Sequence, residues 1–544
     1  MNDSSGRMPP AVNEPVLSFA PATPEREKLR KALDEVLATV VEIGPVIGGV
    51  EIRTGKTAEI RRPDDHAKVL GICHLGGVKE TSRAIEAALS ARREWAETPW
   101  QERAAVFRRA AELIAGKYRY RLLAATMLGQ AKTAHQAEID AVCESADFLR
   151  FNPVFMEGIY AGQPESTGAE WNRSAYRPLE GFVLAVSPFN FTSIAANLPS
   201  APAMMGNVVV WKPASTALFS NWLLMKVYEE AGLPPGVINF LPGSGSAISG
   251  TAFAHRDFAG LHFTGSTGVF NSLWKAASAN LETYRSYPRI VGETGGKDFV
   301  FLHPSADRKA AITAILRGAY EYQGQKCSAA SRLYVPKSIA GDFLEELSAE
   351  IASIPMGRVD DFRNFMSAVI DETAFDGMMP WIERARASSE ARVLAGGKGD
   401  KSHGYYIEPT LISTTNPRYE SMETELFGPI LSAYVYDDSD MEAAYRLVDS
   451  TSPYALTGAI LARDRRVIVR ALDALRGAAG NLYVNDKPTG AVVGRQPFGG
   501  ARGSGTDDKA GSPLNLLRWT SAQAIKENFD PPLDWRYPFM GVDR

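Results

Sequence analysis

Cysteine is scarce. Cys73, Cys143 and Cys327 are the only three in 544 residues. None stands in a CxxC pair, and the odd count argues against a disulfide framework. Long hydrophobic runs are missing as well. No stretch approaches the roughly 20 apolar residues that span a bilayer, so no membrane association is expected. The seven histidines are scattered without metal-ligand spacing, and no metal is expected. Excess positive charge is absent: a formal net charge of −4 leaves no basic footprint for nucleic acid. The opening MNDSSGRMPPAVNEP has no apolar signal core and no Arg-rich amphipathic pattern. A cytoplasmic location is therefore the expectation.

What is present is a chain too long for one ordinary core, which predicts two or three domains. Hydrophobic and charged fractions of 45% and 22% are those of a water-soluble globular protein. The first 25 residues, rich in Pro, Ser and Asn, read as an extended arm. Residues 80–150 read as helices, with Ile85, Ala88, Leu89 and Trp95 at helical spacing. From residue 181 short apolar runs take over: GFVLAVSPFN, VVVWKP at 208–213, GVINFLP at 236–242 and GLHFTGS at 260–266. A helical stretch covers Ala217–Ala231. A second series follows with FVFLHP (299–304), RLYVP (332–336), LSAYVYD (431–437), TGAILA (457–462) and GNLYVND (480–486). Apolar strands alternating with helices predict two α/β domains in series with doubly wound parallel sheets. LNLLRWTSAQAIKENF (514–529) holds a further candidate strand.

Five segments carry chemistry. GQKCSA (324–329) sets a cysteine beside a lysine, which can depress a thiol pKa. GETGGK (292–297) surrounds a carboxylate with glycines, as suits a general base that swings toward a water. SPFNF (187–191) puts an asparagine at a strand end, where its amide can donate to an oxyanion. WKP (211–213) puts a lysine at a strand end, where it can meet a cofactor ribose or phosphate. FTGSTGVF (263–270) is a turn suited to dinucleotide phosphates, although its spacing is not GxGxxG. Singly, each has an ordinary reading as a buried cysteine, a turn or a solvated strand end.

Jointly and in this order, the segments resemble the aldehyde dehydrogenase superfamily over about residues 40–525. ELFGP (425–429) and PFGG (497–500) extend the resemblance. The closer resemblance is to the family of Δ1-pyrroline-5-carboxylate dehydrogenases, also called glutamate-semialdehyde dehydrogenases. NEPVL (13–17), QAEID (136–140), GFVLAVSPFNF (181–191), EYQGQKCSAASR (321–332), DSTSPYALTG (449–458) and NDKPTG (485–490) carry it.

The resemblance implies an α/β aldehyde dehydrogenase fold in three parts. These are a Rossmann-like NAD-binding domain at 1–157 and 178–294, an α/β catalytic domain at 295–510, and a β oligomerisation flap at 158–177 and 511–544. It implies that Cys327 attacks the aldehyde and that Asn190, with the Cys327 backbone N–H, holds the oxyanion. Glu293 would then activate water to hydrolyse a thioester. Acylating relatives that use coenzyme A typically lack this glutamate, so a free acid is the expected product. The matching cofactor positions are Ser187, Lys212, Gly265, Ser266, Thr267, Gly268, Val269, Glu425 and Phe427. Ser215, three residues after Lys212, replaces a glutamate common in NAD-preferring relatives. That leaves room for some NADP use, with NAD the expected cofactor. Lys326, Ser328, Gly490 and Ala491 match the region that anchors the substrate carboxylate, and Phe191 and Phe498 match aromatics along its chain. Glu144 aligns with an acid near the tunnel, a solvated helix carboxylate being the equal alternative. The family often has serine at position 491, so Ala491 is expected to weaken or alter anchoring. The implied partners are a small-molecule substrate, further copies of the chain (a dimer, or dimers built into a hexamer) and transient contact with a proline dehydrogenase. The implied reaction is oxidation of glutamate semialdehyde to glutamate in proline degradation. Two rivals are kept: another aldehyde dehydrogenase, such as one for succinate semialdehyde, and a catalytically silent protein on the same fold.

Overall fold

The computed structural model describes residues 7–541. Its first parallel sheet is built from β1 (Phe182–Val186), β2 (Val208–Lys212), β3 (Ile238–Phe240), β4 (Phe258–Thr264) and β5 (Arg289–Glu293). The order is β5-β4-β1-β2-β3, with the short antiparallel strands Val46–Ile47 and Val50–Glu51 completing seven. All seven residues of β4 are buried, as are four of five in β1 and in β2. Such near-continuous apolar runs belong to a sheet covered on both faces.

Strand order reverses between β1 and β4. The chain runs β1 to β3 in one direction, then returns to the other side of β1 for β4 and β5. Such a switch point leaves a crevice beyond the carboxyl ends of its strands. Ser187 follows β1 there, and Gly265 follows β4.

A second seven-stranded sheet comprises β6 (Asp298–Leu302), β7 (Ala330–Pro336), β8 (Ala391–Ala395), β9 (Thr410–Thr414), β10 (Ile430–Tyr436), β11 (Thr457–Leu461) and β12 (Asn481–Val484). Its order is β8-β9-β10-β7-β6-β11-β12, parallel except at the β8 edge. Only the turn 294–297 separates β5 from β6. The carboxyl ends of the first sheet therefore face the amino ends of the second, and that junction is where the candidate residues gather.

The helical region contains the expected helix Val78–Glu97, whose buried Thr81, Ala84, Ile85, Ala88 and Trp95 follow the helical repeat. It also contains an unexpected π-helical turn, Glu138–Glu144. The hairpin Thr57–Arg62 and Asp65–His74 was not anticipated either; TAEIRR buries only two of six residues. Its polar and apolar residues alternate only over Thr57–Arg61, and Arg62 then sets a charge on the buried face. Glu170–Arg177 and Ser521–Asn528 pair antiparallel over eight residues as a separate two-stranded ribbon. Among the described residues, no helix is long and apolar enough to cross a membrane.

Candidate active site

Cys327 stands just before β7, at the end of a turn the backbone adopts reluctantly. Tyr322, Gln323 and Gly324 all have positive φ, at 53°, 56° and 65°. Two of them are not glycine, a conformation that persists only when its surroundings dictate it. Here they do. The Gln323 amide donates to the carbonyls of Ala131 (3.0 Å) and Ala368 (2.6 Å), and its oxygen accepts from the Ser367 N–H (3.0 Å). The Gln325 side chain accepts from the Ile370 N–H at 2.9 Å.

Asn190 is buried and donates from Nδ2 to the Gln325 carbonyl at 3.1 Å. This fixes the amide beside the segment that carries Cys327. From the other side comes the turn after β5. A Cβ on Gly296 would lie 2.1 Å from the Cys327 carbonyl oxygen, and one on Gly295 would lie 2.2 Å from a Glu425 carboxylate oxygen. These glycines are therefore required by close approach, a reason different from the swinging freedom expected of them. Glu425 accepts from the Gly296 N–H at 2.8 Å. Glu293 accepts from the Gly500 N–H at 3.2 Å, which sets its carboxyl against the PFGG segment.

The electrostatics of this cluster follow from burial. Burial pushes the Cys327 thiol well up, and the carboxylates of Asp298, Glu425 and Glu293 push the same way. Burial also holds Glu293 well above the ordinary carboxyl range and Glu425 at about 7. Lys297, buried and with no hydrogen-bond partner for its ammonium among the described residues, is pulled down to about 7 by burial and by Arg332. Asp298 rises to about 8, again chiefly through burial. Charge in this site is costly until a reactant supplies a partner.

Several of the positions matched to cofactor binding follow the carboxyl ends of strands in the first sheet. Ser187 follows β1, its hydroxyl accepting from the Trp211 indole at 3.0 Å. Lys212 ends β2; burial alone pulls its ammonium down, with no carboxylate contributing. Gly265 and Ser266 follow β4. Ser266 caps the helix Thr267–Ser278 by accepting from the Val269 N–H. A Cβ on Gly268 would meet nothing within 4 Å, and Val269 is exposed, so the helix terminus faces open space. A helix start of this kind suits phosphate oxygens. Thr267 instead joins the turn, accepting from the Gly295 N–H at 3.3 Å. Phe427, at φ 55°, packs edge-on against Phe189 at 5.8 Å between ring centroids. A dinucleotide fits this set: an open helix terminus, a buried lysine whose shift no carboxylate contributes to, and the Glu425 carboxylate.

The positions matched to substrate binding are less uniform. Ser328 donates to the Thr489 hydroxyl at 2.8 Å and so touches the loop that continues into Gly490 and Ala491. Phe498 pairs by its backbone with Ala510. Phe191 lies under the Lys132 ammonium, 4.0 Å from its ring centroid. Lys326 is buried and pairs with Glu321 at 3.1 Å; Glu321 also takes Lys487 at 2.7 Å. Burial opposes the charge on Glu321, but the two lysines outweigh it and hold the carboxyl at about 2. The Lys326 charge is thus matched within the protein. Glu144 accepts from the Ser193 hydroxyl at 2.8 Å, and burial raises its carboxyl to about 8.

The model of the aldehyde dehydrogenase family matches residues 50–525. The chain belongs to the aldehyde dehydrogenase family. A relative from Dictyostelium discoideum, named Delta-1-pyrroline-5-carboxylate dehydrogenase, mitochondrial, is 52% identical over 536 residues, covering 98% of this chain and 96% of its own. The crystal structure of the Delta-pyrroline-5-carboxylate dehydrogenase from Mycobacterium tuberculosis matches with TM-score 0.96 and 51% identity, over 100% of both chains. Its form bound with NAD matches with TM-score 0.96 and 50% identity, over 99% of this chain and 100% of that one.

Several neighbours of the site in this aldehyde dehydrogenase lay outside the residue-by-residue reading. Lys132 and Asp140, both fully buried, pair at 2.6 Å, and Asp140 also accepts from the N–H groups of Thr192 and Ser193. Glu321, Lys487 and Lys297 were likewise missed. Charges spaced across distant segments leave no local pattern, and Lys132 and Asp140 straddle the change from α to π geometry.

Proposed function

We propose that this aldehyde dehydrogenase oxidises L-glutamate γ-semialdehyde, in equilibrium with Δ1-pyrroline-5-carboxylate, to L-glutamate in proline degradation, with NAD as cofactor. The observation that carries the reading is the convergence of Cys327, Asn190 and the Glu293 turn on one junction, in a chain half identical to proteins named for this substrate over nearly its whole length.

The Cys327 sulfur, as thiolate, attacks the aldehyde carbon, forming a C–S bond and placing the electron pair on oxygen. The Asn190 amide and the Cys327 backbone N–H stabilise that oxyanion. NAD, when bound, supplies the hydride acceptor that turns the thiohemiacetal into a thioester. Ser187, Lys212, the Gly265–Val269 turn, Glu425 and Phe427 are the residues that would hold it. Glu293 then takes a proton from water, the hydroxide adds to the thioester carbon, and the C–S bond breaks to release the acid. Burial raises the basicity of Glu293, which favours its accepting that proton. Ser328 and the backbone of Gly490 and Ala491 anchor the α-carboxylate, with Phe191 and Phe498 beside the chain. Lys326 acts here through its pairing with Glu321, beside the nucleophile.

The division into a cofactor domain (1–157 and 178–294), a catalytic domain (295–510) and a flap (158–177 and 511–544) belongs to the same reading. So do assembly of copies through the ribbon, transient contact with a proline dehydrogenase and a cytoplasmic location. The ribbon's partly exposed strands support assembly. The Dictyostelium relative's name points to mitochondria, and cell fractionation distinguishes the two locations.

The deciding experiment follows NADH absorbance with Δ1-pyrroline-5-carboxylate, succinate semialdehyde and simple aliphatic aldehydes, using NAD and NADP in turn. The reading expects the highest kcat/KM with Δ1-pyrroline-5-carboxylate and NAD, and no turnover by Cys327→Ala. A preference for aldehydes lacking the α-amino acid group overturns the substrate assignment. Ala491→Ser is expected to lower the KM for Δ1-pyrroline-5-carboxylate by restoring a hydroxyl to the anchoring loop; an unchanged KM counts against that loop's role.

A further inference from the structure

The segment NEPVL near the start of the chain has no part in the chemistry above, yet it is tied to both walls of the site. The Asn13 amide donates twice, to the Asp147 carboxylate at 2.8 Å and to the Val493 carbonyl at 2.8 Å. Its oxygen accepts from Arg495 Nε at 3.2 Å. One side chain thus joins the helix Ser145–Ala161 to the loop 489–498. The second Asp147 oxygen accepts from the Glu14 N–H at 2.7 Å, so both oxygens of this carboxylate are bound by the arm.

The other wall is reached through the π-helical turn. The Glu14 carboxylate bridges Arg119 (2.7 Å) and Arg150 (2.8 Å). The Leu17 N–H donates at 3.0 Å to Glu138, the first residue of the π-turn, which also pairs with Arg119. The same turn carries Asp140, which binds the N–H groups of Thr192 and Ser193, and Glu144, which binds the Ser193 hydroxyl. Those residues directly follow Asn190 and Phe191. A π-turn is a costly insertion, found most often where a site needs it. Here its first and third residues receive the arm on one side and the oxyanion segment on the other.

The loop itself is poised to need such a hold. Gly490 and Gly494 have φ of 94° and 82°, and a Cβ on Gly494 would come within 2.2 Å of the Phe151 ring. Its side chains are exposed at Arg495 and Gln496. No regular element spans 489–498; its ends are held by Ser328 at Thr489 and by the pairing of Phe498 with Ala510, and Asn13 holds the stretch between them at Val493 and Arg495.

We infer that Asn13 is a positioning residue that clamps the loop 489–498 against the helix Ser145–Ala161, with Glu14 fixing the arm that carries it, and so sets how tightly the enzyme holds the carboxylate end of its substrate. The kinetic part rests on the reading of Gly490 and Ala491 as the carboxylate anchor; the clamp itself does not.

The test uses the full chain and two variants. Asn13→Ala removes all three side-chain bonds, and Arg495→Ala removes only the exposed loop-side contact. Backbone hydrogen–deuterium exchange of peptides covering 489–498 is measured beside steady-state kinetics with Δ1-pyrroline-5-carboxylate and with pentanal, which has no carboxylate. Faster exchange in that loop is expected in both variants. For Asn13→Ala, KM for Δ1-pyrroline-5-carboxylate should rise about tenfold, the scale of losing a hydrogen bond to a charged group. The kcat, and KM for NAD and pentanal, should stay within about twofold. A merely structural role would shift both aldehydes alike, and that result overturns the inference. Unchanged exchange in 489–498 also overturns it, and Arg495→Ala decides this if Asn13→Ala does not fold. Should the wild type fail to oxidise Δ1-pyrroline-5-carboxylate, the substrate reading falls while the exchange measurement still judges the clamp.

Discussion

One methyl group at position 296 should be enough to stop the reaction. The Cβ of Gly296→Ala would fall 2.1 Å from the Cys327 carbonyl and 2.5 Å from the Asp298 carboxylate, so the nucleophile's backbone must move. A displacement of about 1 Å at a reacting group costs on the order of 100-fold in rate. The expected outcome is a folded protein by circular dichroism with kcat reduced by about that factor; near-normal turnover would mean the turn gives way more cheaply. The thiol offers a second test. It is held high by burial and by three carboxylates, so alkylation of Cys327 by iodoacetamide in the cofactor-free protein should accelerate steadily as pH rises through neutrality. At pH 8 Glu425, with its carboxyl at about 7, is mostly charged and helps hold the thiol up. Glu425→Gln removes that charge, so alkylation at pH 8 should be faster; an equal or slower rate would remove Glu425 from this account. The identities of Cys327, Asn190 and Glu293 were legible in the sequence because each sits in a short segment whose order matches a family. Their partners were not. The Glu321–Lys326–Lys487 cluster joins residues more than 160 apart, and nothing local in NDKPTG announces that its lysine neutralises a carboxylate beside the nucleophile.

Among the elements, the left-handed turn at 322–324 carries the most consequence for its size. Gln323 alone satisfies two buried carbonyls and one N–H from two separate segments. Gln323→Ala leaves those groups unpaired at a cost of about 1–3 kcal/mol. The melting temperature should fall measurably, and kcat with it, because the turn delivers Cys327. A loss of stability without loss of kcat would separate the turn from the chemistry. Most strands were readable as apolar runs because a parallel sheet covered on both faces demands them: VVVWK and FAGLHFT could hardly be surface segments. The 57–74 hairpin offers no such run: its alternation is short, and Arg62 and Asp64 put charges into its buried part whose pairing only the fold reveals. The π-turn was invisible because its sequence, EIDAVCE, suits an ordinary helix; the contacts it makes with Arg119, Leu17, Thr192 and Ser193 come from distant segments.

Across the whole molecule, the 57–74 hairpin is tied to the loop that carries Val359 and Asp360, away from the site. Arg62, at the end of the hairpin, is wholly buried and bonds Asp64 twice at 2.8 Å and Asp360 at 3.4 Å, while Asp64 also accepts from the Val359 N–H. Removing one partner of such a buried pair leaves an uncompensated charge, at about 3–5 kcal/mol. Arg62→Ala should therefore lower the calorimetric melting temperature more than any surface arginine substitution, and an unchanged transition would sink that view of the tie. The two-sheet architecture was anticipated from the alternation of runs; the ties were not, since the residues that make them lie nearly 300 apart. The two-stranded ribbon has the same long separation, and it bears on synthesis. Arg177 pairs with Ser521, 344 residues later. At ~5–20 residues per second the ribosome leaves the strand 170–177 without its mate for roughly half a minute. During that interval an open β-edge is available to any neighbouring nascent chain, so polysomes translating this message are where mispairing between copies would begin.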